Sequence, residues 1–264
     1  MTTAISETPT SKGVLTAEGQ DKASEKEFYD RLFKSRGRFD QFQNTVYERM
    51  AVEARRHTDG TVALDIGCGA GDLSLCLTRQ GFSVIAADLS IEAAKLAHKT
   101  VTEHGKTLVA MNADAEHLPL QDNTVDACMC SLLLHHFSDL NYIAAELKRV
   151  VRPGGVVVAL DANAHNPFSW LFFNVYHRYA PRKGITPNQR AIGRREIQRV
   201  FSKHGFTNFE FSSLSTDLKK DWLGDSLGAR LNYYTRATVL GLSNLVLPQI
   251  SQGNCLLAVF QRTA

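Results

Sequence analysis

No stretch of about eighteen uncharged apolar residues occurs in the sequence, so no membrane-spanning helix is expected. The first residues, MTTAISETPTSKG, lack the charged-then-apolar pattern of a secretory leader. Cysteine is scarce and poorly spaced. Cys68, Cys76, Cys128, Cys130 and Cys255 form no CxxC pair and no Cys/His metal spacing, and an odd count opposes a fully paired disulfide framework. A cytoplasmic protein with no metal is the expectation. Charge of one sign is not gathered into blocks either: 30 Lys and Arg stand against 27 Asp and Glu, but the excess is scattered and leaves no footprint for nucleic acid. No internal repeat is visible.

What is present is a chain of 264 residues, 44% hydrophobic and 22% charged, enough for one large α/β domain. Residues 1–24, rich in Ser, Thr, Ala and Glu, read as a mobile tail. Over 25–57 the spacing of Phe28, Leu32, Phe33, Phe39, Phe42, Val46, Met50 and Ala54 predicts two amphipathic helices parted near Gly37. From residue 58 short β-branched runs alternate with helical stretches. Val62–Ile66, Ser83–Ala87, Thr107–Met111, Val125–Cys130 and Gly155–Leu160 are the expected strands of a parallel sheet. A helix over Arg194–His204 follows, then strands at Phe206–Ser212 and Asn254–Gln261. Cap insertions are expected at about 162–193 and 213–252.

The strongest local signal is Val62-Ala-Leu-Asp-Ile-Gly-Cys-Gly-Ala-Gly-Asp72, a hydrophobic strand that ends near Asp65 and enters glycines 67, 69 and 71. Glycines tolerate positive φ and leave no Cβ in the way, so such a turn can press its amides against a ligand; a tight ligand-free turn is the plainer reading. Asp88 ends the second strand 21 residues after Gly67, where a carboxylate can accept both ribose hydroxyls of an adenosine. A dinucleotide site wants a third glycine where Asp72 stands, and an acidic side chain there repels a pyrophosphate. NAD-dependent hydride transfer therefore ranks low.

On these residues the chain resembles the class I S-adenosylmethionine-dependent methyltransferases, in particular the small-molecule group of the ubiquinone and menaquinone enzymes. Leu64-Asp65-Ile66-Gly67-Cys68-Gly69-Ala70-Gly71 resembles the family's first motif and Ala87-Asp88-Leu89-Ser90 its second. Asn112-Ala113-Asp114-Ala115-Glu116-His117-Leu118-Pro119 resembles the adenine loop, Cys130-Ser131-Leu132-Leu133-Leu134-His135-His136-Phe137 the segment after strand four, and Leu147–Gly155 the lead into strand five. The resemblance implies a Rossmann-like three-layer sandwich with seven strands, mostly parallel, the last antiparallel, plus a helical cap. It implies S-adenosylmethionine as cofactor, held by Asp65, Gly67, Cys68, Gly69, Gly71, Asp88, Leu89, Asp114, Ala115, Ser131 and His136, with the helices of 25–57 over that site.

Methyl transfer from a sulfonium needs alignment and exclusion of water more than it needs a base. Where an acceptor must lose a proton, His136, His165 and Asp161 are the catalytic candidates, while His135 shares the segment after strand four. Residues 166–179 crowd six aromatics into one segment, so Trp170, Phe173, Tyr176 and His177 are expected to line the acceptor pocket, although a helix buried by its aromatic face fits the same pattern. The expected function is methylation of a small, partly hydrophobic metabolite at O, N or C, without nucleic acid and without stable membrane insertion. The apolar stretch Thr238–Ile250 suits helical packing or a homodimer contact. A non-catalytic regulatory binder of the same cofactor is the alternative, with an NAD-dependent oxidoreductase behind it.

Overall fold

The computed structural model describes residues 22–36, 44–171, 189–215, 238, 245 and 247–264. Most of both expected cap insertions, and most of Thr238–Ile250, therefore lie outside the described residues. Two helices, α1 (Lys22–Arg36) and α2 (Asn44–His57), precede strand β1 (Val62–Ile66). Then α3 (Asp72–Arg79), β2 (Ser83–Asp88), α4 (Ile91–Glu103), β3 (Leu108–Asn112) and β4 (Val125–Ser131) follow in alternation. A single 3₁₀ turn (Leu134–His136) leads to α5 (Leu140–Val150), β5 (Val151–Ala162), α6 (Pro167–Leu171), α7 (Arg194–Lys203), β6 (Phe206–Leu214), α8 (Gln249–Gln252) and β7 (Cys255–Arg262).

All seven strands join one sheet in the order β3-β2-β1-β4-β5-β7-β6. The first five run parallel, and β7 inserts antiparallel between β5 and β6. This is the Rossmann-like three-layer sandwich that the resemblance implied. Because the chain moves outward from β1 in both directions, the carboxyl ends of β1 and β4 flank the point where the strand order reverses, the place where open α/β sheets receive ligands.

Both faces of the sheet are covered, which explains the near-continuous apolar runs of the central strands. In β5, Val157 and Ala159 face the layer that holds Leu140, Ile143 and Leu147 of α5 and Phe201 of α7. Val156, Val158 and Leu160 face Met50, Ala51 and Ala54 of α2 with Leu73 and Leu77 of α3. Phe201, Phe206 and Phe260 close the far edge, ring centroids 4.6–5.6 Å apart. At the amino end of the sheet, Asp126 accepts from the amides of Thr61 and Val62 and from Arg152, which moors β1 to β4 away from the cleft.

Two boundaries differ from the sequence reading by three residues or more. Helix α1 begins at Lys22, three residues inside the stretch expected as tail, because Lys22 is tied to Asp114 and Glu116. Strand β5 starts at Val151 rather than Gly155, because the Arg-Pro-Gly-Gly punctuation is absorbed as a register shift opposite Val125–Ala127, with Gly154 at φ +79°. No helix among the described residues is long and apolar enough to cross a membrane.

Candidate active site

The turn from β1 to α3 carries Gly67, Gly69 and Gly71 at φ +69°, +49° and +85°. A side chain at Gly71 would put its Cβ 2.6 Å from the Cα of Ala97, so this glycine lets α3 and α4 approach. Gly69 has a different neighbour: the ring tip of Phe33 on α1 stands 3.5 Å from where a Cβ would lie. The turn is fastened to the next strand, since the amides of Gly67 and Cys68 donate to the carbonyl of Ala87 and the amide of Gly69 donates to Asp88 Oδ2 at 3.0 Å.

Three carboxylates stand along this edge in three environments. Asp65 is buried; Ser74 Oγ donates to its Oδ2 at 2.6 Å, while Oδ1 has no hydrogen-bond partner. Burial pushes its carboxyl up to about 7, and the charge of Asp88 adds to this. A buried acid with one orphaned oxygen fits a ligand cation such as the ammonium of a methionine moiety. Asp88 spends one lone pair of each oxygen on the protein, accepting from the amides of Gly69 and Ser90, so each oxygen keeps one for a ligand hydroxyl. Burial raises its carboxyl against the pull of those amides. Asp114 accepts from Glu116 N at 3.0 Å and from Lys22 Nζ at 2.7 Å. Burial works against ionisation there, but the ammonium and the amide outweigh it and hold the acid below its ordinary value. Ala115 packs into the core below the same loop.

Beyond β4 the chain turns sharply. Ser131 ends the strand, and Leu132 is forced into the left-handed region at φ +52°, its amide held by the carbonyl of Leu160 at 2.7 Å. The turn delivers two stacked imidazoles, His135 and His136, with centroids 4.3 Å apart. His135 Nδ1 meets Asp161 Oδ1 at 2.5 Å, and the same carboxylate accepts from the amides of Leu134 and His135. Burial and the neighbouring His136 keep His135 below the ordinary histidine value, despite Asp161. His136 Nδ1 lies 3.2 Å from Glu25 Oε1, and its Nε2 lies 3.4 Å from the hydroxyl of Tyr29. Burial, with the charges of Glu25 and Asp88, raises the Tyr29 phenol, which therefore stays protonated and donates.

The structure thus brings Asp65, Gly67, Cys68, Gly69, Gly71, Asp88, Leu89 and Ser131 to the carboxyl edge of the sheet, with His136 beside them. Cys68 is a buried thiol pushed well above its ordinary value by that burial, and so is inert. His165 stands apart: its Nε2 accepts from the amide of Arg194 at 3.1 Å and so caps α7. Trp170 is half exposed on α6, while Phe173, Tyr176 and His177 lie outside the described residues. No group of three His, Cys, Asp or Glu gathers into a metal site among the described residues.

Sequence reasoning missed what α1 contributes. Lys22, Glu25, Tyr29 and Phe33 follow a three-four-four spacing and so share one helical face, and every one of them touches a site segment. That spacing was the available signal, hidden because only its aromatic members count as hydrophobic. Asp30 adds a contact from beside this stripe, accepting from Ser90 Oγ at 2.6 Å.

Residues 64–159 match the family described as a methyltransferase domain. A malonyl-acyl-carrier-protein O-methyltransferase of Yersinia pestis is 32% identical over 146 residues, covering 55% of this chain and 53% of that protein. A demethylmenaquinone methyltransferase of Lactobacillus johnsonii is 27% identical over 226 residues, covering 74% of this chain and 91% of that one. Among solved structures, the geranyl diphosphate C-methyltransferase of Streptomyces coelicolor shares the fold with a TM-score of 0.65 at 13% identity, over 94% of this chain and 100% of that chain. The chain spans 35% to 54% of the length of the malonyl-acyl-carrier-protein methyltransferases it matches. By its ordered motifs, its sheet and these relatives, the chain is similar to the class I S-adenosylmethionine-dependent methyltransferases, the quinone methyltransferases among them.

Proposed function

We propose that this protein is an S-adenosylmethionine-dependent methyltransferase that methylates a small, partly hydrophobic metabolite. The observation that carries the reading is Asp65, a fully buried carboxylate whose Oδ1 has no partner at the mouth of a glycine turn. A cationic amino-acid end supplies that partner, whereas a pyrophosphate would meet Asp72 in the first turn of α3. In this reading Asp65 holds the methionine end beside the glycine turn, Asp88 and Leu89 the ribose, and Asp114 and Ala115 the adenine. The cofactor, when bound, supplies an activated methyl group on sulfur.

The chain's part is then to align, to dry and to hold a proton. Helix α1 screens the glycine turn through Phe33 and Tyr29, and Ser131 and Leu132 shape the wall beyond β4. His136 is the proton acceptor, Asp161 the residue that fixes its neighbour His135, and His165 a helix cap with no part in the chemistry. Recognition of the acceptor is assigned to Trp170, Phe173, Tyr176 and His177. The five cysteines are all buried thiols, which supports a reducing cytoplasm. The partner is a small molecule rather than nucleic acid, with a homodimer contact assigned to the Thr238–Ile250 stretch.

The test is thermal. S-adenosylmethionine raises the melting temperature of the wild type, and Asp88→Ala removes that rise; a wild type indifferent to it, or one stabilised equally by NADH, defeats the proposal.

A further inference from the structure

Glu25 precedes His136 by 111 residues, yet its carboxylate meets the Nδ1 of that ring at 3.2 Å. Both residues are buried. We propose that Glu25 is the positioning residue of the His136 base, fixing the Nδ1–H tautomer so that Nε2 keeps a lone pair for the acceptor's proton, and that docking of α1 is what assembles this pair. The proposal rests on the methyl-transfer reading above and adds to it a residue from outside the motifs.

An ionised carboxylate only accepts hydrogen bonds, so the hydrogen between Glu25 and His136 belongs to Nδ1. The tautomer then places the free lone pair on Nε2, the same division of labour by which a carboxylate orients a catalytic imidazole elsewhere. The Nε2 neighbour is the Tyr29 hydroxyl at 3.4 Å, a long contact for an O–H donor and therefore readily exchanged for the hydroxyl of an acceptor. In that exchange the O–H bond breaks, its electron pair stays on the acceptor oxygen, and the proton forms the new N–H bond on Nε2. Glu25 remains ionised and balances the imidazolium inside a buried site.

The surroundings favour this ring over its neighbour. Groups facing His136 are Glu25 and Tyr29 from α1, His135 from its own turn and Asp88 from the end of β2, with Asp161 behind His135. His135 is fully enclosed and held by Asp161, whereas the carboxylate serving His136 arrives on a helix. That helix is moored independently on both sides of Glu25: Lys22 bonds Asp114 and Glu116, and Asp30 bonds Ser90. The same docking motion therefore meets the adenine loop, the β2 turn and the imidazole together.

Full-length protein labelled with ¹⁵N-histidine, read by long-range proton–nitrogen correlation, tests the assignment, with the His136 signals identified by their loss in His136→Asn. The wild type is expected in the Nδ1–H form. Glu25→Gln, whose carbonyl still accepts, keeps that form, while Glu25→Ala and the bulk-preserving Glu25→Leu shift the ring to Nε2–H or to an averaged mixture. A wild-type ring in the Nε2–H form, or an Nδ1–H form that survives both apolar substitutions, overturns the proposal. Titration of the wild type with S-adenosylhomocysteine separates the two readings. Absence of binding removes the methyltransferase assignment, whereas binding together with a tautomer indifferent to Glu25 removes only the role of Glu25.

Discussion

Substituting Asp65 by asparagine should make the ligand-free protein more stable at alkaline pH while destroying its cofactor site. The carboxyl is raised from an ordinary 3.8 to about 7, chiefly by burial. A raised acid is protonated in the folded chain and ionised in the unfolded one between those two values, so the folded state binds the extra proton and stability falls as pH rises through that window. The slope is about 1.4 kcal/mol per pH unit, and the accumulated cost above pH 7 is at most about 4 kcal/mol. Asparagine has no such proton to lose. Its amide leaves one buried donor where Asp65 left one buried acceptor, an offset of about 1–3 kcal/mol that does not vary with pH. Urea unfolding of both proteins at pH 5, 6, 7 and 8 isolates the pH-dependent part, because every other titrating group is shared. The variant should gain about 3 kcal/mol on the wild type between pH 5 and pH 8, and S-adenosylmethionine should stabilise only the wild type. Two stability profiles that run parallel, with a difference constant to within about 0.5 kcal/mol, would refute the argument that Asp65 is held unsatisfied for a ligand.

Two further outcomes follow from the same geometry. Gly71→Ala combines φ +85° with a Cβ placed 2.6 Å from the Ala97 backbone, so it should cost about 2–4 kcal/mol in urea unfolding by parting α3 from α4. His165→Ala removes the acceptor for the Arg194 amide and should lower stability by about 1 kcal/mol while leaving the S-adenosylmethionine-induced melting shift intact; loss of that shift would return His165 to the site.

The frame was legible because its signals are local. Val62–Ile66 was read to the residue, and β2, β3 and β4 to within one, since β-branched runs bounded by glycine and charge leave little choice. The antiparallel placement of β7 was not readable from alternation, which is the same for either direction; it came from resemblance. Near the cleft, the glycine turn, Asp65 and Asp88 are legible in the sequence because they lie at the carboxyl ends of β1 and β2. The α1 contacts were not, because hydrogen bonds spanning 92 to 111 residues, such as Lys22 to Asp114 and Glu25 to His136, leave no mark on the sequence around either partner. His165 illustrates the converse: a histidine just past a strand end looked chemical, but its ring nitrogen is engaged by a helix terminus.

Asp88 accepts from the amide of Gly69 in the first crossover and from that of Ser90 in the second, and Ser90 in turn grips Asp30 of α1. One carboxylate thereby welds the two βα loops into a single jaw, with the amino-terminal helix as the opposing one. Substitutions on that helix would therefore reach both βα loops at once, from a segment that carries none of the family's ordered motifs.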